Sequence, residues 1–65
     1  MRYFKAIPER SDIDWLLFTD DELSKYHSSN NPNKNHWSYF DKHRLENLQR
    51  LWVEITEAEA FLELL

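Results

Sequence analysis

The stretch Trp52-Val-Glu-Ile-Thr-Glu-Ala-Glu59 decides the fold. Leu51, Val53 and Ile55 alternate with Trp52 and Glu54, which is the period of a strand. Thr56 followed three residues later by Glu59 is a capping box. Its Thr hydroxyl accepts from the third helical amide, and its Glu carboxylate accepts from the Thr amide. On this reading residues 51–55 form a strand and a new helix starts at Thr56. The competing reading is one helix over 41–65. Leu45, Leu48, Leu51, Trp52 and Ile55 share a helical face, and the stripe continues through Ala58, Leu62 and Leu65 without Gly or Pro. The strand reading is preferred, and both stay open on sequence alone.

An earlier segment has the same form. Trp15-Leu-Leu-Phe-Thr-Asp-Asp-Glu22 shares with Trp52–Glu59 the pattern Trp-x-x-apolar-Thr-acid-x-Glu. It predicts a strand over 13–19 and a helix from Thr19 to about His27, with Asp20, Asp21 and Glu22 favouring the helix dipole. Upstream, Arg2–Ile7 reads as a short aromatic-rich strand, and Pro8–Asp12 as a turn. Residues 27–36 (HSSNNPNKNH) form a polar Asn-rich loop. Trp37–Phe40 reopens structure, and Asp41–Gln49 is helical by periodicity. The expectation is a single domain over 1–65, compact and α+β. It has a short N-terminal strand, one or two further short strands and two to three helices. The alternative is a mostly α chain with the long helix 41–65.

Composition narrows the classes of function. The chain has 65 residues and a net charge of −4, with no Cys and no Gly. Without Cys there is no disulfide, thiol catalysis or Cys-based zinc site. Without Gly there is no glycine-rich phosphate loop, and the Asn residues of 30–35 are the expected carriers of positive φ. A hydrophobic content of 42% is too high for a disordered tail. No apolar run is long enough to span a membrane, and residues 1–20 lack the apolar core of a secretory signal. A cytoplasmic setting without membrane contact is expected. Charge alternates in blocks along the chain: Arg2, Lys5 and Arg10; then Asp12 to Glu22; then Lys34 to Arg50; then Glu54 to Glu63. That pattern disfavours a continuous basic face for nucleic acid.

The opening Met1-Arg-Tyr-Phe-Lys5 and the closing Trp52-Val-Glu-Ile-Thr-Glu-Ala-Glu-Ala60 resemble those of small uncharacterised phage and prophage proteins. Those proteins pair a Tyr/Phe-Lys strand at the N-terminus with a late Glu-Ile-Thr strand that runs into an acidic helix. The resemblance covers fourteen of the 65 residues, at the two ends. The chain departs from it in lacking glycine-bearing hairpins. The resemblance implies a mobile-element origin and a host cytoplasm, and it carries over no catalytic residue.

Candidate chemistry is sparse. His36, Asp41 and His43 match no metal-ligand spacing. Ser28, Ser29 and Ser38 lie near histidines without a base–orienter pattern or oxyanion loop. No enzyme activity, cofactor or metal is expected. Trp15, Trp52, Phe4, Phe18 and Phe61 suit a core. Trp37 and Tyr39 follow the polar loop and suit interface anchors. Ala58, Phe61, Leu62, Leu64 and Leu65 make a wide apolar stripe, suited to docking or self-association. The expected protein-contact residues are therefore Asp20, Asp21, Glu22, Trp37, Tyr39, Phe61 and Leu65. The leading function is an acidic protein-binding module with a basic partner surface, of the phage accessory type, that inhibits or modulates a host protein such as a defence complex or nuclease. The alternative is a homo-oligomeric (for instance dimeric) assembly protein using its C-terminal helix. A DNA-associated regulator using Lys34, Lys42, Arg44 and Arg50 comes third, because no helix-turn-helix pattern is present.

Overall fold

The computed structural model describes residues 1–33 and 35–65. Five strands form one antiparallel sheet: β1 (Arg2–Ala6), β2 (Leu16–Thr19), β3 (Lys25–Ser28), β4 (Ser38–Tyr39) and β5 (Trp52–Ile55), in the order β4-β3-β2-β1-β5. The first four strands run as a meander. Helix α1 (Lys42–Leu51) then carries the chain from one edge of the sheet to the other, and β5 follows it without a loop. Ten helical residues rise about 15 Å, and four inter-strand gaps span about 19 Å. With its short link from β4, α1 is just long enough to cross the whole face. Helix α2 (Glu57–Glu63) begins as soon as β5 ends.

Both faces of the sheet are apolar, and each helix covers one. Strand alternation puts Phe4, Leu17, Tyr26 and Trp52 on the first face. There Phe4, Leu17 and Leu48 of α1 form a buried cluster, with Leu23, Tyr26, Phe40 and Trp52 packed against it. The second face carries Tyr3, Leu16, Phe18 and Ile55. Leu16, Ile55 and Ala60 of α2 form the second cluster, with Tyr3 and Phe18 around it. The result is a three-layer α+β domain, helix on sheet on helix.

The local signals explain the helix ends. Asp41 caps α1 by accepting from the Arg44 amide at 2.8 Å. The Thr56 capping box is complete: Thr56 Oγ1 accepts from the Glu59 amide at 3.1 Å, and Glu59 Oε1 accepts from the Thr56 amide at 3.3 Å. Residues 52–55 are a strand and 57–63 a separate helix, so the single helix over 41–65 is not formed.

Three expectations fail, for definable reasons. Thr19–Glu22 does not start a helix. Thr19 is fully buried in the sheet and donates to the Asp20 carbonyl at 3.0 Å. Asp20, Asp21 and Glu22 instead begin the β2–β3 turn, where the Leu23 amide donates to the Asp20 carbonyl at 3.3 Å. The polar loop starts later than expected, because His27 and Ser28 belong to β3. Positive φ falls on Leu23 (φ 57°) and on no Asn among the described residues. Asn31 and Asn33 turn the chain with their side chains: Asn31 Oδ1 accepts from the Asn33 amide at 2.9 Å, and Asn33 Oδ1 from the Asn35 amide at 3.1 Å.

A core this small rarely supplies more than about 3–5 kcal/mol, and Leu48 is 4% exposed at the centre of one core. Removing a buried leucine side chain costs about 2–5 kcal/mol. Leu48→Ala is therefore expected to leave most of the chain unfolded in urea titrations followed by tryptophan fluorescence. Leu62→Ala, at an exposed position, is expected to stay within about 0.5 kcal/mol of the parent.

Candidate functional site

The contact residues expected from sequence fall into two separated groups. In the first group Asp20, Asp21 and Glu22 lie in the β2–β3 turn, with Asp21 against Met1 and Arg2 at the start of β1, while Tyr39 is on β4 and Trp37 just before it. Phe61 and Leu65 lie at the C-terminal end, on and just beyond α2, which packs over β1, β2 and β5.

The first group is built around the β2–β3 turn. Asp20 is committed to that turn. Its carboxylate accepts from the Ser24 amide at 2.7 Å, from the Lys25 amide at 3.2 Å, and from the Ser24 hydroxyl. The Ser24 hydroxyl, then the backbone amides, hold the Asp20 carboxyl below its ordinary value, against some desolvation. Asp21 and Glu22 are exposed, and Asp21 lies 2.8 Å from the Met1 nitrogen. Lys25 leaves the turn directly opposite Tyr39 in the β3–β4 register. The Phe40 amide donates to the Ser24 carbonyl at 2.9 Å, tying β4 to the end of the turn. Tyr39 is 73% exposed.

Trp37 plays a supporting part. It is half-buried, its ring lies 5.1 Å from Lys25 Nζ, and it packs at 5.8 Å on His27. His27 is buried between Trp37 and Phe18. Its Nδ1–H donates to the His36 carbonyl at 3.0 Å, and its buried Nε2 has no hydrogen-bond partner among the described residues. His27 thus ties the polar loop to the sheet. Among the described residues no three His, Asp or Glu side chains gather as a metal site.

The second group is apolar. Phe61, Leu62, Leu64 and Leu65 are all exposed, with Leu65 at 99%. The expectation that Phe61 joins the core is not met. Ala60 is the α2 side chain that fills the space against the sheet, and Phe61 follows it round the helix toward solvent.

Sequence reasoning missed a cleft between α1 and the first face. It has a volume of about 200 Å³ and is lined by Leu17, Tyr26, Phe40, Arg44, Asn47, Leu48 and Trp52. Arg44 sits over the Tyr26 ring at 6.0 Å and donates to the Tyr39 carbonyl at 3.3 Å. Arg44, Asn47 and Leu48 follow helical spacing and were legible as one face of α1. Tyr26 was not, because its direction depends on β3 being a strand. The cleft is smaller than the roughly 300–1,000 Å³ of ordinary ligand pockets. Of the basic residues weighed for DNA contact, Lys42, Arg44 and Arg50 are exposed on α1, and Lys34 lies outside the described residues. No helix is long and apolar enough to cross a membrane among the described residues.

The lowered Asp20 value has a consequence for acid stability. Its contribution is complete above the unfolded carboxylate value of about 3.9 and is lost as pH falls below that through the folded value. Asp20→Asn is expected to unfold at lower urea than the parent at pH 7, and the gap is expected to narrow steadily below pH ~4. A gap independent of pH contradicts the role given to this carboxylate. Set against known proteins, this chain matches no protein family, no curated protein and no solved structure.

Proposed function

We infer that this chain works by protein contact, presenting the β2–β3 turn and β4 to a basic surface. The observation that carries the reading is Tyr39, which stands 73% exposed across from the residue that leaves the acidic turn. Tyr39 supplies an interface anchor, and the exposed carboxylates of the turn supply charge that steers and selects a partner. Asp21 and Glu22 supply the charge. Asp20 shapes the turn that presents them and makes no contact itself. Trp37, braced by Lys25 and His27, widens the aromatic surface at its base.

This reading is non-enzymatic. The resemblance of the chain ends to small phage proteins supports an accessory protein acting in a host cytoplasm. Its concrete form is inhibition or modulation of a host protein, such as a defence complex or nuclease.

Affinity capture from bacterial lysate, with mass identification of what is retained, tests the reading. The double change Asp21→Lys/Glu22→Lys and the single change Tyr39→Ala are each expected to weaken the captured complex about 30-fold, the equivalent of roughly 2 kcal/mol for an interface anchor. A captured partner held equally well by all three chains contradicts the site.

A further inference from the structure

The two edges of the sheet are unlike. At one edge β4 is only two residues long, and Arg44 occupies the outward carbonyl of Tyr39. At the other, β5 pairs with β1 alone among the described residues. Proteins blunt such an edge with Pro, Lys, a bulge or a covering segment. The β5 sequence Trp-Val-Glu-Ile carries neither Pro nor Lys, its one charged residue, Glu54, is paired with Arg2, and Val53 is 43% exposed.

The Ile7 amide donates to the Leu51 carbonyl at 2.8 Å, so Leu51, Val53 and Ile55 aim their main-chain groups at β1. Trp52 and Glu54 therefore aim theirs outward. The Trp52 amide is already taken by the Leu48 carbonyl at the end of α1, and the Thr56 amide by Glu59. Among the described residues the groups left open are the Trp52 carbonyl and the Glu54 amide and carbonyl.

We propose that β5 pairs antiparallel with β5 of a second copy of this chain, about a two-fold axis through Val53. In that register each Glu54 amide donates to the Trp52 carbonyl of the other copy, so both free donors are used. Val53 faces its own symmetry mate across a non-hydrogen-bonded pair. The neighbouring register, centred on Glu54, sets two carboxylates directly opposite each other, and like charges there repel. It also wastes the Trp52 carbonyl on the Thr56 amide, which is already taken. In the Val53 register each Glu54 keeps its bidentate bond to Arg2 (2.8 and 2.9 Å). The two sheets become one ten-stranded sheet. Val53 lies on the face that α2 covers, so the exposed Phe61, Leu62, Leu64 and Leu65 of both copies end on the same side of it. The contact is isologous, closes on itself and leaves no free β5 edge. It uses the edge of the sheet opposite β4 and does not rest on the protein contact inferred above.

A chain without cysteine allows a direct test. In a non-hydrogen-bonded antiparallel pair the Cα atoms lie about 4.5 Å apart, within disulfide reach. Val53→Cys is expected to form a dimeric disulfide about tenfold faster than Tyr39→Cys at the opposite edge, because pairing raises the local thiol concentration. Glu54→Cys is expected to crosslink no faster than Tyr39→Cys. Sedimentation of the unmodified chain is expected to show a dimer that grows with concentration. Val53→Lys, a change at an exposed position, is expected to stay monomeric with an unchanged circular dichroism spectrum. Fast crosslinking at Glu54 in place of Val53 overturns the register. A monomer at every concentration, leaving the edge to a strand from another protein, overturns the proposal.

Discussion

The pairing of β1 with β5 sets Phe4 against Glu54 and Ala6 against Trp52, and both helices take their places from it. It joins the two ends of the chain. Once β5 lies beside β1, α1 has to cross one face to reach it from β4, and α2 has to leave on the other. The energy behind the pairing is apolar. The Arg2–Glu54 ion pair is more than a third exposed on both sides, and pairs of that kind contribute about 1 kcal/mol or less. A fully buried leucine or phenylalanine contributes about 1.5–3 kcal/mol. Phe4, Leu17 and Leu48 on one face, with Leu16 and Ile55 on the other, outweigh the ion pair.

Two thin cores in a 65-residue chain leave little volume for a pocket and much surface for contact. The three layers spend their large side chains holding the sheet between the helices. What is left outward is uneven: Tyr39 at one edge of the sheet, the open strand β5 at the other, an acidic turn, and the exposed apolar end of α2. That asymmetry favours two separate contacts over one extended site. His27 shows the same economy, since its single bond to the His36 carbonyl holds down a loop that has no glycine to fold it.

The C-terminal half was legible because local and long-range signals agree there. Periodicity marks α1, alternation marks 51–55, and Thr56 with Glu59 forms the capping box that its spacing predicts. The middle was misread because the same local signal occurs where the fold overrides it. Thr19 and Glu22 have capping-box spacing, but Thr19 is claimed by the sheet, and Asp20 spends its carboxylate on the Ser24 and Lys25 amides. A hairpin without glycine then forces Leu23 into positive φ, a cost that its packing against the first core offsets. Once β3 is a strand, the direction of Tyr26, the burial of His27 and the cleft under α1 all follow, and none was readable without it. The candidate contact residues fared similarly. Asp21, Glu22 and Tyr39 stand where a partner can reach them, whereas Asp20 proved to be part of the scaffold.

Nuclear Overhauser contacts between α-protons across β1 and β5 test this account most directly. Non-hydrogen-bonded antiparallel pairs bring their α-carbons closest together. Strong contacts are expected between the α-protons of Phe4 and Glu54 and between those of Ala6 and Trp52. An unbroken series of helical contacts three residues apart from Leu48 through Ala58, without those cross-strand contacts, would contradict it.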